Sequence, residues 1–329
     1  MEVKLRRLVI KPTLACTAGC PSCALRLELY RQRQNENELS VAQWTDVLGD
    51  ASQLGCRDLH VSGGEPALYH GLGHLVREAT RLGMYTNMNT NGSKVTPELV
   101  RELAAAGLKS VTISLYSRFA GLNDRMRMED GLFDRAIRAI RYFRKYSQIQ
   151  VDLQTILGGA NLTDLDNYLH FAIRLGVSNV YLSFVEGQRG NPWLPSVEQI
   201  DRFRQAVLPR VRQVVLDHTP PPLLARTLKK VERMFPMDPQ RKAGYAGGVY
   251  FPVEKPRCPK PYNFALILAT GEVHPCNGVE YSHEPVMGNV LKTDLKAIWQ
   301  NDAWRQFRKI RHDWCHQCPV VLHFHIPLN

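Results

Sequence analysis

Three cysteines near the start of the chain have the residue type and the spacing of a shared metal site. Cys16, Cys20 and Cys23 follow the pattern C-x3-C-x2-C, directly after the apolar, strand-like run Leu8–Ile10. Three thiolates are one ligand short of a tetrahedral zinc site, but they can hold three irons of a 4Fe–4S cluster and leave the fourth open to another molecule. The spacing therefore predicts a cluster with one open iron. The alternative is a loop with incidental or zinc-binding cysteines.

A second motif, Gly63-Gly64-Glu65-Pro66, follows the next strand-like run of the chain. Its glycines permit a close backbone approach, and its carboxylate can accept hydrogen bonds from an ammonium group. Together with the cysteine triplet, this motif resembles the radical S-adenosylmethionine (SAM) superfamily. The resemblance implies that the open iron binds the amino and carboxylate groups of SAM, and that one electron cleaves SAM to methionine and a 5′-deoxyadenosyl radical. It also implies that the Gly-Gly-Glu-Pro motif binds the amino group of SAM.

Further SAM contacts are implied by the same resemblance. Ser114 ends the fourth predicted strand, where family members often contact the ribose or the carboxylate of SAM. The segment Asn123–Arg127 resembles the [His/Asn]-Asp-x-x-Arg element, whose arginine, here Arg127, reaches the SAM carboxylate. Arg125 is close enough to compete for that role, and surface salt bridges are the alternative for both arginines. Family members usually carry an aromatic residue where this chain has Ser22, so other groups must hold the adenine.

The elements that position these motifs alternate between strand and helix patterns over residues 6–184, which predicts parallel strands with helical crossovers. Six strands make an open barrel. The resemblance accordingly implies an α/β fold, a partial (βα)6 TIM barrel with a small C-terminal α+β domain. The predicted strands are Arg7–Pro12, Asp58–Ser62, Tyr85–Thr90, Ser110–Tyr116, Gln150–Leu157 and Asn179–Phe184. The predicted helices between them are Val41–Leu54, Leu72–Leu82, Pro97–Ala106, Phe133–Tyr146 and Asp164–Leu175.

Polar residues occupy alternate positions along five of these strands, with apolar residues between them. Because side chains alternate across a strand, the apolar set is expected to face the helices and the polar set the barrel interior. A polar interior suits a cavity for a hydrophilic cofactor and substrate. Asp152 and Glu186 are the candidate bases, with buried structural carboxylates as the alternative. Their expected orienting partners are Tyr116, Gln154, Asn89 and Tyr181.

The last seventy or so residues contain four further cysteines, Cys258, Cys276, Cys315 and Cys318. Four thiolates suit structural zinc as well as a cluster. The spacing C-x12-G-x4-C on a hairpin, the segment Met287–Val290 and the final C-x2-C resemble the SPASM/twitch extension of radical SAM enzymes. No cysteine follows the C-x2-C, which implies the shorter twitch type with one auxiliary 4Fe–4S cluster, similar to 2-deoxy-scyllo-inosamine dehydrogenase-like enzymes.

The whole-chain properties set the remaining expectations. We expect a barrel over residues 1–186, a helical linker or lid over 187–255 and a twitch domain over 256–329. The chain has no membrane-length apolar run and no signal peptide, so a cytoplasmic protein is expected. Its formal charge is +11, but the basic residues are spread at helical spacing, which favours solvated helix faces over nucleic-acid binding. The eighth cysteine, Cys56, is expected in the core.

The main functional hypothesis is a radical SAM oxidoreductase. An auxiliary cluster with four protein ligands most simply passes an electron, which favours dehydrogenation of a polar small molecule of sugar, aminocyclitol or nucleoside type. The expected reaction turns an alcohol into a ketone in natural-product biosynthesis, such as that of an antibiotic, with a flavodoxin or ferredoxin-type electron donor.

Four alternatives remain open. A decarboxylase of a sugar acid needs no thiol, whereas an epimerase needs a hydrogen-donating thiol and only Cys56 is spare. A peptide-modifying maturase often has an N-terminal peptide-binding domain, and only fifteen residues precede Cys16. The non-enzyme alternative is a zinc-bound nucleic-acid-binding protein.

Overall fold

The fold is known from a computed structural model, which describes residues 3–23, 38–185, 191–217, 238–247, 260–277 and 285–315; of residues 241 and 310–315 only the backbone is described. The predicted alternation of strands and helices is confirmed. Six parallel strands pair in chain order, β1 Arg7–Ile10, β2 Asp58–Val61, β3 Tyr85–Thr90, β4 Ser110–Ser114, β5 Gln150–Leu157 and β6 Asn179–Phe184. The helices of this half are α1 Val41–Gln53, α2 Leu72–Arg81, α3 Pro97–Ala106, α4 Ala120–Arg127, α5 Leu132–Tyr146 and α6 Leu165–Arg174.

The core lies between the sheet and these helices, as the strand parity predicts. Leu59, Val111 and Leu153 are fully buried from the strand side, and Trp44 and Phe143 meet them in the same core from the helix side. Each such side chain stabilises the fold by roughly 1.5–3 kcal/mol when it leaves water. Burial of the apolar face leaves the largely polar faces of β2 to β6 directed into the barrel. Cys56 is fully buried in this core, as expected.

Helix α4 is an element that the sequence did not predict. It is short and mostly polar, so it lacks the apolar periodicity that signals a helix. It ends at Met128, which adopts a left-handed conformation with φ of 50°. The turn at Met128 follows directly on Arg127, which lies buried beside the cysteine loop.

The C-terminal residues continue the barrel sheet. Strand β7, Phe264–Ile267, pairs in parallel with β1, and it is followed by antiparallel β8, Glu272–His274, and β9, Gly288–Asn289. Within the described residues, the resulting sheet has nine strands in the order β6-β5-β4-β3-β2-β1-β7-β8-β9. The other α-helices of the described residues are α7 Val197–Arg202, α8 Leu208–Asp217, α9 Pro239–Ala246, α10 Lys260–Asn263, α11 Leu295–Gln300 and α12 Asp302–Cys315, and a π-helical turn, Phe203–Val207, joins α7 to α8.

Helices α11 and α12 fasten this segment to the barrel. The Trp299 indole N–H donates to the backbone oxygen of Val3 at 2.7 Å, and the ring centroids of Trp299 and Trp304 are 4.4 Å apart. The first backbone N–H of α11, from Leu295, donates to the Asp50 carboxylate at 3.0 Å. Both tryptophans are almost fully buried. Among the described helices, none combines the length and the apolar character that a membrane span requires.

Candidate active site

The Gly-Gly-Glu-Pro motif and the cysteine loop are held against each other by their backbones. The Gly64 N–H donates to the Thr13 oxygen at 2.9 Å, and the Glu65 N–H donates to the Ala15 oxygen at 2.8 Å. A Cβ atom at Gly64 would lie 2.0 Å from the Ala15 oxygen, which no backbone shift of ordinary size could relieve. Glycine is therefore required here so that the two loops can touch. Cys16 follows directly on the paired segment.

The Glu65 side chain is buried and points into the protein. Its carboxylate accepts hydrogen bonds from the Thr90 hydroxyl at 2.6 Å and from the backbone N–H groups of Asn91 at 2.7 Å and Ala67 at 3.1 Å. Burial raises the pKa of Glu65, and these hydrogen bonds lower it in part. Pro66 is buried and starts a short 3-10 turn. The motif thus ties the end of β2 to the end of β3, and its glycines, not the Glu65 carboxylate, line the central cavity.

The three cysteines of the loop after β1 line that cavity together. Cys20 is buried, Cys23 is half-buried and Cys16 is exposed. The Asn91 side-chain amide lies 3.6 Å from the Cys16 sulfur and donates to the Thr17 hydroxyl at 3.1 Å. The sequence analysis did not count Asn91 among the site residues. Its position just after β3, next to the predicted cluster loop in a barrel, was the available signal.

The structure separates the two candidate arginines. Arg125 is exposed, whereas Arg127 is 4% exposed and lines the cavity with the cysteines. The backbone oxygen of Arg127 accepts the Gly19 N–H at 2.8 Å, so α4 and the cysteine loop are joined. The Arg127 guanidinium donates to the backbone oxygen of Ser114 at 3.3 Å and lies 4.4 Å from the centre of the Tyr116 ring. Its buried Nε has no hydrogen-bond partner among the described residues.

The residues present fit the implied cofactors. Three cysteines on one loop leave one iron of a 4Fe–4S cluster without a protein ligand. Beside them, the Arg127 Nε–H is a buried donor without an acceptor, and a carboxylate such as that of SAM would satisfy it. Ser114 and Tyr116 line the same part of the cavity. Cys16, Cys20 and Cys23 would hold the cluster, with Arg127 holding the anionic end of SAM.

The cavity fills the barrel interior and has a volume of about 910 Å³. Its size lies near the top of the range of about 300–1,000 Å³ for small-molecule sites, so it has room for a cofactor and part of a second molecule. As strand parity predicts, polar side chains of the strands line it, together with apolar ones such as Val9, Ile156 and Phe264. The polar residues that line it from β2 to β6 and just beyond their ends include Ser62, Asn87, Asn89, Thr112, Ser114, Tyr116, Asp152, Gln154, Tyr181 and Ser183.

Asp152 is placed in the lumen, as the sequence predicts for a candidate base. It is 1% exposed, and the Gln150 amide donates to both of its carboxylate oxygens at 3.0 Å. Burial raises the pKa of Asp152, while the hydrogen bonds from Gln150 lower it in part. A buried carboxylate with a raised pKa is suited to accept a proton near neutral pH. The other candidate base, Glu186, lies outside the described residues.

Gln154 takes part in a hydrogen-bonded row across the lumen wall. The Asn89 amide on β3 donates to the Gln154 side-chain oxygen on β5 at 3.3 Å, and the Gln154 amide donates to the Ser183 hydroxyl on β6 at 3.0 Å. We call these three side chains the amide row. Because β4 lies between β3 and β5, the row reaches over β4 inside the lumen. The sequence predicts the inward direction of these residues but not their mutual contacts.

A second polar cluster lies at the opposite end of the lumen, where the strands begin. The Arg7 guanidinium pairs with Asp58 at 2.5 Å, and the Asn87 amide donates to Asp58 at 3.1 Å and hydrogen-bonds to the His60 ring. Burial lowers the pKa of His60. The sequence analysis did not single out His60, although its place between apolar Leu59 and Val61 gives it the same inward parity.

The predicted auxiliary ligands are described only in part. Cys276 follows β8 and is buried in an apolar cluster with Leu14 and Phe264, against which Cys23 of the cysteine loop also packs. Residues of both predicted cluster sites therefore share one small core. Cys258 and Cys318 lie outside the described residues, as does the side chain of Cys315, whose backbone ends α12. The predicted set of four ligands stays a prediction.

Two family profiles match the chain. The profile of the Radical SAM superfamily matches residues 10–172, and that of the SPASM iron-sulfur cluster-binding domain matches residues 258–319. These matches confirm the predicted α/β radical SAM fold and the prediction of a SPASM-type domain. They also confirm the prediction of SAM, a SAM-binding 4Fe–4S cluster and an auxiliary cluster as cofactors.

Relatives and solved structures extend these matches. PqqA peptide cyclase of Rhizobium meliloti (strain 1021) is 26% identical over 313 residues, which cover 93% of this chain and 77% of the relative. SuiB of Streptococcus suis bound to its precursor peptide SuiA has the same fold, with a TM-score of 0.69 and 17% identity over 97% of this chain and 71% of SuiB. SuiB bound to S-adenosylmethionine gives a TM-score of 0.68 at 18% identity, over 97% of this chain and 72% of SuiB.

The prediction of an enzyme that oxidises a sugar-type small molecule is wrong. Three relatives that match this chain are named PqqA peptide cyclases, and SuiB, which has the same fold, has been solved with its precursor peptide bound. The sequence analysis kept a peptide-modifying maturase only as an alternative, because few residues precede Cys16, and the named relatives favour that alternative. A polar lumen does not discriminate, because a peptide main chain and sugar hydroxyls both form hydrogen bonds.

Proposed function

We propose that this chain, which is a radical SAM enzyme with a C-terminal SPASM domain, modifies a peptide by removing a hydrogen atom from one of its residues. The observation that carries the proposal is the similarity to PqqA peptide cyclases, which spans 93% of the chain and thus includes the lumen and both cluster segments. The peptide would enter the lumen beside SAM. This proposal replaces the small-molecule substrate.

The lumen supports the proposal through its dimensions and chemistry. It is long enough to run from the cysteine loop at the strand ends to the Arg7–Asp58 pair where the strands begin. Its wall presents amides and hydroxyls, which suit the N–H and C=O groups of a main chain. An extended peptide advances about 3.4 Å per residue, so a segment of a few residues fits within such a cavity.

The chain's own residues position and deprotonate the substrate. When bound, the cluster and SAM supply a 5′-deoxyadenosyl radical that accepts the hydrogen atom. The backbone N–H groups of Gly64 and Glu65 hold the cluster loop in place, and Arg127 would bind the anionic end of SAM through its buried Nε–H. A net two-electron oxidation of the peptide releases a proton as well, and Asp152 is proposed to accept it. The Gln150 amide orients the Asp152 carboxylate for this step.

The finer features of the electron path belong to the same proposal. One auxiliary 4Fe–4S cluster, of the twitch type, would be held by Cys258, Cys276, Cys315 and Cys318, all within the matched segment 258–319. It would take the electron that the substrate loses. A flavodoxin or ferredoxin-type protein would supply the electron that starts the reaction.

The test is substrate-dependent formation of 5′-deoxyadenosine by the anaerobically reconstituted, reduced protein. One arm receives a panel of linear precursor-type peptides that includes PqqA, and a second receives pooled aminosugars, aminocyclitols, sugar acids and nucleosides. We expect a burst above the no-substrate background with at least one peptide, and a peptide product lighter by two hydrogens in the mass spectrum. A burst only with the small-molecule pools would contradict the proposal.

A further inference from the structure

The amide row, Asn89, Gln154 and Ser183, has hydrogen-bonding capacity that the described residues do not use. A primary amide carries two N–H donors and a carbonyl with two lone pairs, and a hydroxyl carries one donor. The two bonds within the row occupy one N–H of each amide, one carbonyl position of Gln154 and one lone pair of Ser183. The remaining groups make no hydrogen bond to a described residue. They are the second N–H of each amide, the Asn89 carbonyl oxygen and the hydroxyl hydrogen of Ser183. All three side chains line the cavity.

This set of groups matches a peptide main chain. An extended peptide presents N–H and C=O groups in alternation, and a primary amide offers a donor and an acceptor in one plane, as a neighbouring strand does. The row crosses from β3 to β6, three strand spacings or on the order of 14 Å, which equals about four extended residues. A row of this kind reads the main chain and leaves the side chains of the substrate free to vary.

The level of the row in the barrel also suits a substrate site. Gln154 pairs in register with Ser114, and the backbone oxygen of Ser114 accepts a hydrogen bond from Arg127 beside the cysteine loop. Asp152 is two residues earlier on β5 and faces the same lumen. Because the cysteine loop follows the C-terminal end of β1, the row lies between the predicted radical source and Asp152. A peptide held on the row would present a C–H bond to the radical source and a proton to Asp152.

We propose that the amide row binds the main chain of the substrate peptide across the lumen, an inference that rests on the proposed peptide substrate. Asn89 and Gln154 then act as binding residues that set which part of the peptide meets the radical. Their interactions within the row keep both amides pre-oriented before the peptide arrives. Sequence around the reacting residue would matter less than the ability of the main chain to donate and accept hydrogen bonds.

The experiment uses the full-length, reconstituted enzyme and the panel peptide that gives the largest burst. Asn89→Leu and Gln154→Met keep size while removing the amide groups. Each variant is expected to raise the KM for peptide about tenfold, which corresponds to about 1.4 kcal/mol, with a smaller change in kcat. Gln213→Met, the same change at an exposed position of α8 outside the cavity, is the matched control and is expected to shift the KM less than twofold.

Ester analogues of the same peptide distinguish a direct contact between the amide row and the main chain from a merely structural role of the row. Each analogue replaces one amide N–H by oxygen, and one position is expected to raise the wild-type KM about tenfold. In Asn89→Leu or Gln154→Met, the same ester should cost less than twofold, because its partner is already gone. An equal ester penalty in wild type and variants, or an unchanged KM in both variants, would overturn the inference. No burst with any peptide would overturn the proposed function itself, and that result is visible in the wild type alone.

Discussion

Two buried charged side chains of opposite sign define the lumen at the level of single residues. Arg127 lies at the cysteine end with an Nε–H that no described residue accepts, and Asp152 lies deeper with both oxygens held by Gln150. A buried charge is costly unless it is paired, so each of these groups indicates a partner that arrives with the cofactor or the substrate. The sequence named both residues. It could not choose Arg127 over Arg125, because that choice depends on which side of α4 faces the loop.

Replacement of Arg127 tests the SAM contact. Arg127→Lys keeps the charge but loses the planar fork that a carboxylate requires, so the Kd for SAM should rise tenfold or more. Isothermal titration of SAM into the anaerobic, cluster-loaded protein measures this. Arg125→Lys, the same change two residues away on the exposed side, should leave the Kd within twofold. Equal effects of the two substitutions would contradict the assignment of Arg127.

Replacement of Asp152 tests the proposed base. General-base catalysis contributes about 10²–10⁴ to a rate, so Asp152→Asn should lower peptide product formation at least a hundredfold. The variant should still release 5′-deoxyadenosine, because hydrogen abstraction precedes proton loss in the proposed sequence. Product and 5′-deoxyadenosine are quantified in the same reaction by mass spectrometry. Wild-type product levels from Asp152→Asn would exclude Asp152 as the base.

The same substitution has a consequence for stability. Since burial raises the pKa of Asp152 in the fold, the stabilising contribution of its neutral form is present at low pH and is lost as the pH rises through the raised pKa. The free energy of unfolding of the apo-protein in urea should therefore fall between pH 4 and pH 8 by more in the wild type than in Asp152→Asn. Parallel pH profiles of the free energy of unfolding in the two proteins would show that burial does not raise the pKa of Asp152.

At the scale of elements, the close contact of the β2 and β1 loops decides whether the first cluster can form. Gly64→Ala would place a methyl group 2.0 Å from a backbone oxygen, so the cysteine loop would have to move. We expect the variant to lose about half of the iron bound by the wild type, namely the SAM-binding cluster. Iron and sulfide analysis with visible absorption after reconstitution measures this. Gly49→Ala, a helix position with no atom within 4 Å, is the control and should keep full iron content.

The sequence predicts these elements well where periodicity carries the information. Strands β3, β5 and β6 and helix α3 have the predicted bounds, because alternation of polar and apolar residues reports directly on the buried face. Helix α4 has no such face and was missed. The contacts of the amide row join strands far apart in the chain, so no local pattern contains them. The sequence left a peptide substrate as one alternative among several, since the lumen chemistry is common to several substrate classes.

At the scale of the molecule, the C-terminal segment and the barrel share one sheet. The parallel pairing of β7 with β1, and the shared packing of Cys276, Leu14 and Cys23, join the surroundings of both predicted cluster sites. An electron that leaves the substrate in the lumen would therefore travel within a single core. The two segments should also unfold together.

Trp304→Ala tests whether the barrel and the C-terminal segment unfold as one cooperative unit. Loss of a fully buried tryptophan that packs on Trp299 and donates to Pro261 should cost about 3–5 kcal/mol. If the sheet is one cooperative unit, far-ultraviolet circular dichroism and tryptophan fluorescence should show a single transition, shifted to lower urea. Arg305→Ala, an exposed neighbour on α12, should leave the midpoint unchanged. A barrel transition that stays at the wild-type midpoint would contradict a shared cooperative unit.

The central claim, that the radical formed in this lumen acts on a peptide, is tested most directly by deuterium transfer. The panel peptide with the largest burst is synthesised with deuterated residues and given to the reduced, SAM-loaded enzyme, and the 5′-deoxyadenosine is analysed by mass spectrometry. We predict 5′-deoxyadenosine that carries one deuterium, together with a modified peptide in matching amount. Unlabelled 5′-deoxyadenosine from every deuterated peptide, alongside deuterium transfer from a labelled small molecule, would contradict the account.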